Sequence, residues 1–408
     1  MKLFNRKSIL ILGTLLSAMA MGIQSCSMIN EDLPECAVMP NTITRVNFIY
    51  DYNMKYTDLF TDHVGSVYLY IFDDNGKYLH RESKYRVQMG NTIDFSMAFD
   101  TTLLKPGHTY EMVAMAQGNR AGYAASLTTP GFQVLNEMVE GVSTINDYLV
   151  RLDRKHEDGT SGVGEFEFKD IYGNTQTQID TIWSTKPDEV QTVRIPSMVY
   201  VPTVEKLPDY EVEVTIPMMR ITNAITVNLA NTAFTHETEP EDYKMIIHFP
   251  QGNGTIDFTG TILPYETLDY RTLRKSLITY IPGNEREEGN GDDGNGEENP
   301  DNGGGQATRA TAAQYAVQGV FGVSRLMTDD ESSLQIYDNK TGQLLEEIPN
   351  FSQFLANAFD YYGDDAQEFL DREYNFEVTL GITQAGLAWI DLYIEVMGWY
   401  VRINNIGF

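Results

Sequence analysis

The chain has 408 residues, of which 42% are hydrophobic and 11% aromatic, enough for more than one core and too apolar for wholesale disorder. Asp and Glu number 58 against 29 Lys and Arg, a formal net charge of −29. So negative a surface repels phosphate backbones and anionic lipid, which argues against a basic-patch binder of either, and two cysteines leave no disulfide framework.

Met1 to Lys7 forms a short basic start, and an apolar run from Ile9 to Met21 follows. The run is shorter than the ~20 residues that a membrane-spanning helix needs, and it reads as an export signal over 1–25. It ends Ile23-Gln24-Ser25-Cys26. An aliphatic residue three before a cysteine and a small residue just before it resemble a bacterial lipobox. Cleavage there makes Cys26 the mature N-terminus and the site of lipidation. Several acyl chains, at about 0.8 kcal/mol per buried methylene, make a lasting anchor in lipid. Residues 26–40 read as an acidic, proline-containing tether. Cys36 lies in it, either as a buried free thiol or as a partner for an intermolecular bond.

Beyond the tether the pattern has period two. Val46, Phe48, Tyr50 and Tyr52 alternate with Asn47, Ile49 and Asp51. Val67, Leu69 and Ile71 alternate with Tyr68, Tyr70 and Phe72, up to Asp73-Asp74-Asn75-Gly76. Asn-Gly tolerates positive φ and predicts a hairpin returning at Lys77. Strands are further predicted over Ile93–Phe99, Tyr110–Ala116, Tyr148–Leu152 and 190–204. Short strands with Gly and Pro punctuation predict an antiparallel β-sandwich over 41–204.

A second sandwich is predicted over 205–408. Its strands are Glu211–Met219, Ile221–Leu229, Lys244–Phe249 and Thr255–Thr259, and a second Asp/Asn/Gly hairpin follows over Leu334–Leu345. Within it, 284–310 is an acidic Gly/Asn-rich stretch with no apolar residue before Gln306. It reads as a disordered loop, and its spacing matches no EF-hand calcium loop. Helical spacing is confined to Phe351–Phe359 and Asp365–Glu373, inserted in the second sandwich. Strands resume at Phe376, and Trp389–Val396 and Trp399–Asn404 close the chain, with Trp399, Val401 and Ile403 at alternate positions.

The six histidines are scattered, and none stands in a His-Glu-x-x-His motif or beside a cysteine. Gly-x-Ser-x-Gly and phosphate-binding glycine loops are absent from the sequence. No enzyme, cofactor or metal is expected. Asp100-Thr101-Thr102 and Asp180-Thr181-Ile182 resemble a bacterial O-glycosylation sequon at Thr101 and Thr181; both also read as ordinary strand-end residues.

Several segments together resemble one family. They are the Cys26 lipobox, Asn30 to Cys36, Phe48 to Met54, Val67 to Leu79, Gln367 to Tyr374, Trp389, and Gly398 to Asn404. In this order they look like the FimB-type fimbrial anchor subunits of Bacteroidales type V pili. The resemblance implies two tandem transthyretin-like β-sandwiches in an all-β chain. It implies a surface-exposed outer-membrane lipoprotein, held by acyl chains on Cys26, that anchors the base of a fimbrium and terminates its assembly. The implied partner is a fimbrial stalk subunit, met by strand complementation. An anchor of this kind keeps its own N-terminal strand, here Arg45 to Tyr52, and offers a donor or docking edge in the C-terminal strands, at Trp389, Trp399, Val401 and Ile403. The alternative is a surface glycan-binding lipoprotein of a nutrient-uptake system, which shares the lipobox, the acidity and the tandem sandwiches. A surface hydrolase is a third reading, and it needs a converging set of carboxylates or a metal.

Overall fold

A computed structural model describes residues 42–118, 132–152, 155–156, 164–167, 181–187, 189–195, 210–231, 233–264, 267–280, 314–357, 365–383, 386–396 and 399–403. The expected signal 1–25, Cys26, the expected tether with Cys36 and the acidic stretch 284–310 lie outside them.

Strands dominate. The first half contains β1 (Thr42–Ile49), a single helical turn α1 (Phe60–His63), β2 (Val64–Phe72), β3 (Tyr78–Tyr85), β4 (Met97–Phe99), β5 (Thr109–Gly118), β6 (Phe132–Val134), β7 (Val150–Leu152), β8 (Lys155–His156), β9 (Gly164–Glu167), β10 (Ile182–Thr185) and β11 (Gln191–Arg194). Then come β12 (Tyr210–Arg220), β13 (Thr222–Asn231), β14 (Tyr243–Phe249), β15 (Thr255–Ile256), β16 (Ile262–Leu263), β17 (Leu268–Arg271), β18 (Arg274–Tyr280), β19 (Gln314–Ser324), β20 (Ser333–Asp338) and β21 (Leu344–Pro349). The chain continues with α2 (Phe351–Asn357), α3 (Ala366–Arg372), β22 (Asn375–Thr383), β23 (Gly386–Val396) and β24 (Trp399–Ile403). The protein is all-β, as expected; α2 and α3 fall where helical spacing predicted them, whereas the single turn α1 was not predicted. Among the described residues no helix is long and apolar enough to cross a membrane.

Four sheets form. The first has the order β3-β2-β5-β10-β12-β1-β4, with β11 also on β5. A small sheet, β16-β15-β7-β6, accompanies it. Tyr68, Tyr70 and Phe72 of β2, Met115 of β5, Phe132 of β6, Val150 of β7 and Ile256 of β15 share one buried cluster. The period-two reading of β2 is incomplete on this point: every residue of β2 is buried, so both faces are covered. The β2–β3 turn forms at Asp73–Gly76 as predicted, with Gly76 at φ +66 and its N–H donating to Asp73 O at 2.8 Å. The predicted strand over Ile93–Phe99 is shorter, only Met97–Phe99.

The other two sheets run β18-β19-β13-β22-β23-β24 and β21-β20-β14-β17-β9-β8. Their cluster holds Val227 of β13, Ile247 of β14, Tyr270 of β17, Phe321 of β19, Leu334 of β20 and Val378 of β22, closed by Phe351 and Leu355 of α2 and Phe369 of α3. Several pairings reach far along the chain, among them that of β13 with β22. β15 pairs with β7, and β9 pairs in parallel with β17.

The chain contacts divide into two units. The larger comprises Val46–Met97, Tyr110–Thr192 and Val214–Phe408, and contains both clusters. The smaller comprises Met1–Arg45, Ala98–Thr109 and Val193–Glu213. Within the smaller one, Gly107 N–H donates to Ile195 O at 2.8 Å, Ile195 N–H to His108 O at 3.0 Å, and Arg45 pairs with Glu211 at 2.5 Å.

Candidate functional site

The C-terminal edge is assembled from α3 onward. Asp365 caps the helix, its Oδ1 accepting from Glu368 N–H at 2.9 Å. Phe369 and Leu370 turn into the core. Asp371 takes the Arg325 guanidinium in a bidentate pair, Nε to Oδ1 and Nη2 to Oδ2, both at 2.7 Å. Gln367 bridges the same region, donating to Leu326 O at 3.0 Å and accepting from Thr328 N–H at 2.9 Å. Glu373 then accepts from the N–H groups of Tyr374 and Asn375, both at 2.8 Å. The helix is thereby stopped and β22 is aimed. Its residues Asn375 to Gly381 run parallel to Ala224 to Ala230 of β13.

β23 returns antiparallel on β22, and β24 on β23. Trp399 stands opposite Val396, Val401 opposite Ile394, and Ile403 opposite Leu392. Trp389 falls where the β22–β23 register shifts between Thr379 and Gly381. All four sequence-predicted edge residues are therefore on the last hairpin, and β24 is terminal in its sheet order. A terminal strand leaves a row of backbone donors and acceptors on its outer side, the feature that lets another strand add.

The N-terminal strand has the opposite character. β1 sits inside its sheet order, between β12 and β4. Its residues alternate, with Thr42, Thr44, Val46 and Phe48 buried. Phe48 stacks on Phe60 with ring centres 5.5 Å apart, and Phe60 meets Phe95 edge-on at 5.5 Å. β1 thus has a neighbouring strand on each side.

Arg220 is a half-buried cation in an aromatic setting. Arg220, at the end of β12, donates to Thr222 O at 2.8 Å and lies 4.2 Å from the centre of the Tyr374 ring. Burial pulls its ionisation below the ordinary arginine value. Tyr50, edge-on to Trp183 at 5.6 Å, is pushed well up by burial. His63 is pulled below 6.5, first by burial and then by the Arg220 charge. These groups tie the end of β1, α1, β10, β12 and the start of β22 together.

The remaining predicted residues are placed separately. Thr101 is half-buried in the turn after β4, where Asp100 Oδ1 accepts from Thr102 N–H at 2.9 Å. Thr181 precedes β10, and its carbonyl accepts from Gly118 N–H at 2.8 Å. The two threonines belong to different units, Thr101 to the smaller and Thr181 to the larger. Among the described residues no group of three or more His, Cys, Asp and Glu is arranged to hold a metal ion. Sequence reasoning missed Arg325, whose partner lies 46 residues away; a lone Arg between Val323 and Leu326 was the available signal.

A family model described as fimbrillin-A associated anchor proteins Mfa1 and Mfa2 matches residues 33–405. No curated protein sequence matches the chain. Among solved structures, a candidate adhesin from Bacteroides thetaiotaomicron is 21% identical, with a TM-score of 0.60, over 91% of this chain and 100% of that one. A candidate polysaccharide-binding protein from the same organism is 22% identical, with a TM-score of 0.58, over 89% and 98%. The fimbrial anchor protein Mfa2 from Porphyromonas gingivalis is 17% identical, with a TM-score of 0.49, over 89% and 100%.

Proposed function

We propose that this chain, which belongs to the family of fimbrillin-A associated anchor proteins, is a lipoprotein that holds the base of a fimbrium at the outer membrane and ends its assembly. The family match over 33–405 carries the reading. In it, residues 1–25 are removed, Cys26 bears the acyl chains, and 26–40 tether the folded part to the membrane surface. The protein works as two sandwiches, 41–204 and 205–408, and its partner is a fimbrial stalk subunit.

Termination follows from strand logic. A subunit that offers an edge but has no vacant groove ends a chain of donor-strand exchanges. The interior place of β1 in its sheet order supports the filled groove. The terminal place of β24 supports the offered edge, with Trp389, Trp399, Val401 and Ile403 on the hairpin that forms it. Truncation after Met397 removes β24 and tests the contact. The expected result is fimbriae that detach from cells still carrying the truncated protein at normal level. Fimbriae that stay attached at normal length would overturn the β24 contact.

A further inference from the structure

The loop between β1 and α1 holds Tyr56 at φ +51, in the left-handed region that bulky side chains avoid. The residue is 59% exposed, second only to Val142 among the exposed large hydrophobics of the described residues. The loop is firmly built. Buried Asn53 donates through Nδ2 to Tyr50 O at 3.0 Å and Thr57 O at 2.9 Å, and its Oδ1 accepts from Lys55 N–H at 2.9 Å. Asp58 Oδ1 accepts from the N–H groups of Tyr50 and Phe60 at 3.0 and 2.9 Å. This frame holds Tyr56 in a conformation that asparagine or glycine would adopt with less strain. An aromatic ring kept in water at the cost of strain points to a ligand.

The surroundings say which kind. Tyr52 and Tyr56 line a groove of about 390 Å³, within the size range of small-molecule sites. The Arg372 guanidinium lies 4.1 Å from the centre of the Tyr52 ring and 4.5 Å from that of Tyr56; Lys186 Nζ lies 4.4 Å from that of Tyr52. Each cation already has a carboxylate. Lys186 pairs with Glu189 at 2.6 Å and Arg372 with Glu368 at 2.5 Å. Asp51 also lines the groove. The cations are compensated, so an anionic ligand gains little.

A neutral sugar matches what the cations leave open, chiefly the exposed Tyr56 side chain. The C–H face of a pyranose ring packs on an aromatic face through weak C–H contacts. Its hydroxyls can donate to Asp51 and Glu189 and accept from Lys186 and Arg372, in charge-assisted bonds. An extended peptide adds to an open strand edge, whereas the strand residues that line this groove, Ile49 of β1 and Pro217 of β12, belong to neighbouring strands inside the sheet order, and its other walls come from a loop, the segment after β10, and α3. We propose that the groove at Tyr52, Tyr56, Lys186 and Arg372 is a binding subsite for a neutral hexopyranose chain. The subsite is independent of how the protein holds a fimbrium.

Calorimetric titration of the full chain with maltohexaose, cellohexaose, mannohexaose and galactohexaose tests it. At least one should bind with a dissociation constant of about 1 mM or tighter. Tyr56→Asn should weaken that binding about tenfold or more and leave the melting temperature unchanged or raised, because the strain is relieved. Lys186→Met should weaken it as well. No binding of any of the four by about 10 mM would overturn the proposal. So would binding that Tyr56→Asn leaves intact, binding of polygalacturonate in place of the neutral chains, or loss of a stalk subunit as the only effect of Tyr56→Asn.

Discussion

Arg325 and Asp371 face each other in two parallel hydrogen bonds of 2.7 Å, and both side chains are buried, at 9% and 6% exposure. The pair locks the end of β19 to α3, the helix that aims the C-terminal strands. Arg325 also donates to Gly260 O at 3.2 Å, and its carbonyl accepts from Asn253 Nδ2 at 3.0 Å. Removing one partner strands a charge in the interior, at a cost of about 3–5 kcal/mol. Asp371→Asn should therefore lower stability by that order in urea unfolding. The double variant Arg325→Met with Asp371→Leu should recover most of the loss, because an apolar pair of similar volume needs no compensation. Equal losses in the single and double variants would contradict this.

Gly319 shows the same dependence on close fit. A Cβ there would stand 2.7 Å from Thr272 Cγ2 and 2.9 Å from Met245 Sδ. Met245 is in the core, so it can yield only by disturbing its neighbours. Gly319→Ala should cost about 1–3 kcal/mol. Adding Thr272→Ser deletes the methyl that is struck first and should return part of the stability. Thermal unfolding of the wild type and these two variants reads this directly, and no recovery in the double variant would count against the clash.

His63 sets an acid limit. Its folded-state value is pulled below 6.5 by burial and by Arg220, and its ring lies beside Trp183 and Tyr50 at 6.5 and 6.3 Å. The unfolded chain takes up the proton first as pH falls below 6.5, so it binds more protons than the folded state in that window. The stability that His63 contributes is present above pH 6.5 and is lost as pH falls through the depressed value. Melting temperatures measured from pH 7.5 downward should decline less steeply for His63→Gln than for the wild type. Identical slopes would show that His63 is not among the controlling groups.

Much of the fold was legible locally. Asp73 to Gly76 announced its hairpin because positive φ suits Asn and Gly, and Asp365 with inward Phe369 announced α3. Period two located β12, β13, β14 and β22 within a few residues. What escaped was non-local. The full burial of β2 depends on covering residues such as Phe132 and Ile256, far off in the chain. The parallel alignment of β22 on β13 and the pairing of β15 with β7 leave no short-range pattern. The same holds for the site. The terminal hairpin was readable from alternating apolar residues, but its place at the end of a sheet order was not. Tyr56 gave no signal, because neither its φ nor its exposure is written in the residue type.

On the proposed reading, a lipid on Cys26 joins a fimbrium to the cell. The most direct measurement compares cells lacking this protein with cells given back the wild type or Cys26→Ala, using electron microscopy and fractionation of fimbriae between cells and medium. The expected result is fimbriae shed into the medium, and longer than normal, from the deletion, with attachment restored by the wild type and not by Cys26→Ala. Fimbriae that remain attached and of normal length in the deletion would contradict the account.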